Sequence, residues 1–350
     1  MFDYTLVTIY RLSENCTFEN AIKRNVLVSN AVRLTKIEAG ELEELAQYIR
    51  HADLELLQVR RTQSPSSLIS LSFDNINLQI GSYGSGCISN ATTDRERYGL
   101  LYKIDRETSS KCNGHQVENN QFLIYGNNTE HFAFNDGPCK WSYVTVKPTY
   151  FEERILDPIE GKLKTSSGIS SHFTYRDRLS IDAFHFTVRE IAKLAERDSS
   201  LFENSDIRKG IEHSLLEIQL TVLNRTLDEP NNINGKGAKS HEYTIKRSIE
   251  FLEANSYTPI HLLDLCSALD VKMRSLNYAF QEFYGVSPIR YLRLARYAKV
   301  RRDLVSADPK TTTVTEIATR WHFWHFGRFS VEYKNLYGES PSVTLGKARP

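Results

Sequence analysis

The sequence predicts an α+β chain: an N-terminal antiparallel β barrel with flanking helices, then an all-α domain in which one helical unit is used twice. Three observations predict it. From about 54 to 150, short β-prone runs alternate with Gly, Asn and Asp clusters, the pattern of an antiparallel barrel or sandwich. From about 183 to 226, and again beyond 241, apolar residues recur at helical spacing. Finally, residues 280–292, FQEFYGVSPIRYL, return 53 positions later as 333–345, YKNLYGESPSVTL. Phe280 maps to Tyr333, Tyr284 to Tyr337, Gly285 to Gly338, Ser287 to Ser340, Pro288 to Pro341 and Leu292 to Leu345. A repeat of this kind is one structural unit used twice.

Composition bounds the reading. At 350 residues the chain is long enough for two domains with real cores. The net charge of +1 hides an asymmetry. Residues 241–350 hold 16 Lys and Arg against 11 Asp and Glu, net +5, and the other 240 residues hold 28 against 32, net −4. A basic end on a mildly acidic body suits nucleic-acid binding by that end. Five cysteines (Cys16, Cys87, Cys112, Cys139, Cys266) include no C-x-x-C pair, which argues for a reducing cytoplasm and against a zinc ribbon or disulfide scaffold. The N-terminus lacks the basic and apolar regions of a signal peptide, and no apolar run reaches the roughly 18 residues of a membrane span.

Taken in order, residues 1–35 yield no assignable element. The run AGELEELAQYIRHAD (39–53), rich in Glu and Leu, predicts a helix. Strands are predicted within 68–84 and over 98–104, 119–126, 130–135 and 140–147. In 211–225, Ile211, Leu215, Ile218 and Val222 share one face, which serves either dimerisation or packing on the chain's own barrel. Residues 227–240, LDEPNNINGKGAKS, read as a flexible linker.

The C-terminal region opens with a helix over 242–254. A helix-turn-helix follows, with a leading helix over 262–268, a turn at Leu269-Asp270-Val271 and a second helix over 272–283. Leu276, Ala279, Phe280 and Phe283 form its inward stripe, while Arg274, Asn277, Tyr278 and Gln281 share the opposite face beside Ser275. Arg reads guanine and Asn or Gln reads adenine in the major groove, so these are candidate base readers. Lys272 stands at the helix start, where a phosphate would also meet backbone N–H groups. A long helix over 288–305, carrying Arg290 and five further basic residues, spaces this unit from a second one. The second unit opens on the capping box Thr313 to Glu316, turns at 321–324 and ends in a recognition helix over 325–336. There Phe329, Tyr333 and Leu336 face inward. His325, Arg328 and Val331 face outward, Lys334 is placed for a phosphate, and Phe326 is expected to bury against the turn rather than reach a thymine methyl.

The spacing Ile317-Ala318, Phe323, Phe329, Tyr333-Lys334, Tyr337-Gly338, Pro341 closely resembles the AraC/XylS family of bacterial transcription regulators, and the resemblance extends over about 242–345. It implies two helix-turn-helix subdomains joined by a helix, binding to promoter DNA, and activation through contact with RNA polymerase. Where the family pattern has Gly, this chain has His322 in the second turn and Asp270 in the first. Gly favours positive φ, so His322 either tolerates that backbone or alters the turn, and Asp is the milder change.

Segment 113–134 resembles the cupin-like sensor domains fused to such regulators. The implied organisation is a cupin-like sensor and dimerisation domain over 1–226, a linker over 227–240, and a DNA-binding domain over 241–350 with helix-turn-helix units at 262–283 and 313–336. The implied partners are double-stranded promoter DNA, RNA polymerase, a small-molecule effector and a second copy of the chain. No membrane partner, catalytic residue, cofactor or metal is expected, and the place is the cytoplasm at the nucleoid. The barrel interior near Tyr125, His131 and Trp141 is the expected effector site.

Two enzyme alternatives are weaker. A cupin metalloenzyme with an appended DNA module needs a close histidine pair, whereas His115 and His131 are isolated. A DNA-repair alkyltransferase needs a Pro-Cys-His nucleophile or a metal-bound Cys cluster, whereas here Pro138-Cys139-Lys140 stands alone as a strand or turn segment.

Overall fold

The structure is a computed structural model that describes residues 23–28, 33–39, 42–104, 108–118, 121–152, 170–174, 178–224, 236–255 and 257–347. Most of 1–35, including Cys16, and linker residues 227–235 lie outside the described residues.

The strands are β1 (Lys23–Val28), β2 (Arg33–Ala39), β3 (Ala52–Gln58), β4 (Ser66–Ser72), β5 (Ile76–Tyr83), β6 (Cys87–Thr93), β7 (Tyr98–Lys103), β8 (Ser110–Cys112), β9 (His115–Gln116), β10 (Gln121–Tyr125), β11 (Glu130–Asn135), β12 (Cys139–Val146) and β13 (Ser170–Thr174). The helices are α1 (Leu42–Ala46), α2 (Pro148–Glu152), α3 (Arg178–Arg197), α4 (Ser205–Asn224), α5 (Lys236–Ala254), α6 (Leu262–Leu269), α7 (Met273–Tyr284), α8 (Pro288–Ser306), α9 (Val314–Arg320), α10 (Phe326–Tyr337) and α11 (Pro341–Lys347).

The strands form two antiparallel sheets, not a closed barrel. One has eight strands in the order β1-β2-β4-β5-β12-β7-β10-β13, and the other has five in the order β3-β6-β11-β8-β9. Both orders are linear, and no described strand pairs across from one sheet to the other. Period-2 alternation fills three apolar layers. Cys139, Trp141 and Tyr143 of β12 point between the sheets, while Val144 and Val146 meet Phe184, Val188, Leu215 and Leu216 of α3 and α4. On the far side, Leu57, Val59, Ile88 and Phe132 of the five-stranded sheet pack on the C-terminal helices. Each sheet therefore has helices on its outer face.

One expectation changes and one open choice is decided. The Leu- and Glu-rich run over 39–53 makes only the short α1, because His51 takes φ 61 and turns the chain into β3, which pairs along its length with β6. Sheet pairing overrides local helix preference here. The apolar stripe of 211–225 faces the chain's own core, with Leu215 and Val222 buried, so this stripe does not supply a free dimerisation face. Helix α5 begins at Lys236, inside the 227–240 segment read as a linker.

Candidate nucleic-acid interface

The 53-residue repeat is a helix-to-helix joint. Gly285 and Gly338 close α7 and α10 in the left-handed conformation, at φ 63 and φ 81. Each caps its helix through its N–H, to Gln281 and Lys334 carbonyls at 3.0 and 2.8 Å. Two residues on, Ser287 accepts from the Arg290 N–H at 3.3 Å, Ser340 accepts from the Val343 N–H at 3.3 Å, and Pro288 and Pro341 begin α8 and α11. The repeat therefore fixes how each recognition helix leaves its unit.

The ten residues expected to meet DNA are all exposed. Lys272 is the N-cap of α7, and Arg274, Ser275, Asn277, Tyr278 and Gln281 line its outer face, opposite the buried Leu276, Ala279, Phe280 and Phe283. Arg274 lies over the Tyr278 ring, 5.5 Å from its centroid, and donates to its hydroxyl at 3.1 Å. His325 is the N-cap of α10, Arg328 and Lys334 are exposed, and Phe329, Tyr333 and Leu336 are buried. Arg290 sits apart from both helices, in the first turn of α8. At 19 residues, α8 spans roughly 28 Å and rigidly spaces the two units.

The basic residues of α8 divide by role. Arg290 and Arg302 are exposed, but Arg301 is 6% exposed and bonds to the Tyr333 hydroxyl and Glu339 at 3.1 and 3.4 Å. Arg296 lies over Phe323 and Lys299 over Trp321, each 5.5 Å from the ring. These three fasten the second unit to the spacer. Sequence reasoning also missed Glu332, which accepts from Arg328, Tyr297 and Arg293 at 2.8, 3.0 and 3.2 Å. Burial opposes ionisation of its carboxyl, but the Arg328 and Tyr297 hydrogen bonds outweigh it and hold the pKa below the usual range.

Both turns keep the backbone that Gly would favour. Asp270 has φ 52 and His322 has φ 61. His322 Nδ1 lies 3.1 Å from His261 Nε2 at the N-cap of α6, and its ring stacks on Trp324 at 6.0 Å. The turn is retained with His322 in place. Two exposures run against or beyond expectation: Phe326 is 40% exposed rather than buried against the turn, and Trp324 is 64% exposed. The turn core is filled instead by Phe323, packed on Tyr297 and Phe329 at 4.6 and 5.0 Å.

Between the sheets lies an apolar cavity of about 110 Å³, lined in part by Leu54, Leu101, Leu123, Tyr125, His131 and Trp141. Tyr125 and His131 share a 2.6 Å hydrogen bond, with Cys112 Sγ within 3.4 Å of each. Burial lowers the His131 pKa to about 4 and raises the Cys112 thiol to about 12, so these two groups are uncharged at neutral pH. Among the described residues, no three or more His, Cys, Asp or Glu side chains are grouped to hold a metal. Cys139 opens β12 and is buried.

The C-terminal domain sits on the five-stranded sheet. Phe132 meets Phe283 at 6.1 Å, Gln58 donates to the Leu336 carbonyl at 2.6 Å, and Lys246 pairs with Glu130 at 2.6 Å. The hydroxyls of Tyr284 and Tyr291 both bond to Asn90 of β6. Strand β11 is thus shared, with His131 on the cavity and Phe132 on the helices.

Residues 265–347 match a family model described as a helix-turn-helix domain. A probable thc operon regulatory protein of Rhodococcus erythropolis is 42% identical over 101 residues, 29% of this chain and 30% of that protein. The XylDLEGF operon transcriptional activator 2 of Pseudomonas putida is 32% identical over 129 residues, 37% of this chain and 81% of that protein. A solved probable AraC family transcriptional regulator from Rhodopseudomonas palustris is 33% identical, covering 31% of this chain and 99% of that one, at a TM-score of 0.28. The chain belongs to the AraC/XylS family of bacterial transcription regulators.

Proposed function

We propose that this chain binds double-stranded promoter DNA sequence-specifically through α7 and α10 and regulates transcription from it, activating through RNA polymerase. The observation that carries the reading is the repeated pair of recognition helices, spaced by one rigid helix, with every expected DNA-facing side chain exposed. α7 offers a guanidinium and two amide side chains at major-groove reading positions, and Lys272, Arg290 and Lys334 supply phosphate contacts. The cavity between the sheets would hold a small-molecule effector, and a second copy of the chain would pair with it in solution. Among the described residues no helix is long and apolar enough to cross a membrane, and the cytoplasm is the proposed location.

Genome-wide footprinting of the tagged chain in its host tests the reading. A few sharp peaks upstream of operons, reproduced by the purified protein on those duplexes, are expected. Binding that ignores sequence at every salt concentration would refute it.

A further inference from the structure

The two recognition helices have identical lengths and a fixed register, yet different surfaces. The 53-residue offset sets Phe326 against Met273, Gly327 against Arg274, Arg328 against Ser275, Ser330 against Asn277, Val331 against Tyr278 and Lys334 against Gln281. Where α7 presents Arg274, Asn277 and Gln281, α10 therefore presents Gly327, Ser330 and Lys334. Its Arg328 is tied to Glu332 at 2.8 Å. α10 also exposes apolar groups, Phe326 at 40% and Val331 at 61% beside Trp324 at 64% in the turn, where α7 exposes Met273 at 50% and Tyr278 at 51%.

Large apolar side chains on an outward helix face lose free energy to water unless something covers them. Gly327 adds an independent sign. A Cβ there would meet nothing within 4 Å, so no packing within the chain requires glycine, and glycine weakens a helix relative to Ala. The missing side chain instead lets a partner approach the backbone closely at the start of the helix. N-terminal residues of a recognition helix are those that reach base edges, and Phe326 and Gly327 are the first two of α10. His325 and Lys334, both exposed, flank the patch with groups suited to an anionic polymer. The major groove has one apolar landmark, the C5-methyl group of thymine.

We propose that α10 reads thymine methyl groups through Phe326 and Val331, whereas α7 reads hydrogen-bonding base edges. The operator is then chemically divided, with one half selected by polar contacts and the other by methyl groups. The proposal rests on the DNA-binding reading above and deepens it to a base class.

Sites are selected from a randomised duplex pool with the full chain, and the α7 half is assigned as the half whose preferences relax in Arg274→Ala. Each thymine in the other half is then replaced by deoxyuridine, which removes only the methyl group. About fourfold weaker binding per contacted methyl is expected. The same replacements should cause little further loss in Phe326→Ala. Val331→Thr, which keeps the branched shape but exchanges a methyl for a hydroxyl, should behave likewise at its own thymine and guards against a loosened turn in the first variant. Unchanged affinity with deoxyuridine throughout the α10 half, while specific binding persists, would overturn the proposal alone. So would Phe326→Ala that lowers transcription without lowering duplex affinity, which would assign the patch to a protein partner. Failure to select any site would overturn the DNA-binding reading as well.

Discussion

The hydroxyl of Tyr284, the last residue of the first recognition helix, donates a 2.6 Å hydrogen bond to Oδ1 of Asn90 on the five-stranded sheet. The same amide donates to the Tyr291 hydroxyl at 2.9 Å, and all three residues are buried. One asparagine thus satisfies two tyrosines of the DNA-binding domain from the sheet below it. Asn90→Leu would leave two buried hydroxyls unpaired, at a cost of about 1–3 kcal/mol for each group. The expected result is a lower midpoint in urea unfolding. The loss should shrink when Tyr284→Phe and Tyr291→Phe are added, because the residues are coupled. An Asn90→Leu midpoint equal to wild type would refute the role.

Base reading and backbone binding should separate by position. Arg274→Ala or Asn277→Ala is expected to cost about 1–3 kcal/mol at the cognate site and to relax specificity there. Lys334→Ala should instead weaken binding to every sequence and reduce the slope of log K against log salt by about 1. Fluorescence anisotropy titrations at several salt concentrations distinguish the two. Full specific affinity in Arg274→Ala would mean that the reading face lies elsewhere.

The strained second turn can be measured by two substitutions at one position. His322 has φ 61, a backbone that glycine adopts freely and other residues adopt at a cost of about 1 kcal/mol or more. His322→Ala loses the His261 and Trp324 contacts and keeps the strain, whereas His322→Gly loses the contacts and the strain together. The glycine variant should therefore be the more stable of the two by about 1 kcal/mol in thermal unfolding. Equal stability would show that the turn relaxes once the ring is gone.

Stability should fall on mild acidification. Burial depresses the pKa of His131 in the cavity to about 4 in the folded chain, from an ordinary value of 6.5. The unfolded chain therefore binds the proton more readily. This contribution is fully present above about pH 6.5, declines as pH drops toward 4, and levels off below that, with a span of about 3 kcal/mol. His185 on α3 shifts the same way, also to about 4, by burial and the nearby Arg189. Urea unfolding between pH 7 and 4 should show the slope, and His131→Gln should flatten it. A slope unchanged in that variant would assign the acid sensitivity to other groups.

The sequence by itself determined the C-terminal domain. Helical period placed α6 through α10 within a residue or two of their bounds. The capping box at Thr313 and Glu316 forms as its spacing requires, with bonds of 2.7 and 3.2 Å. The repeat located two glycine caps that have positive φ. These features are local: caps, turns and one-sided apolar stripes are set by residues three or four apart. Alternating apolar runs likewise placed β4, β5, β7, β10, β11 and β12, but not β6, β8 or β9, nor the assembly of the strands. Whether strands close into a barrel or part into two sheets depends on pairings between residues far apart in the chain, such as β12 with β5 and β7. Only the tertiary structure decided that the stripe on α4 is core, that Arg301 is a fastener rather than a DNA contact, and that Phe326 stays outside. In each case the deciding neighbour lies on another element: Leu215 meets the eight-stranded sheet, Arg301 meets Tyr333, and Phe323 takes the space that Phe326 was expected to fill.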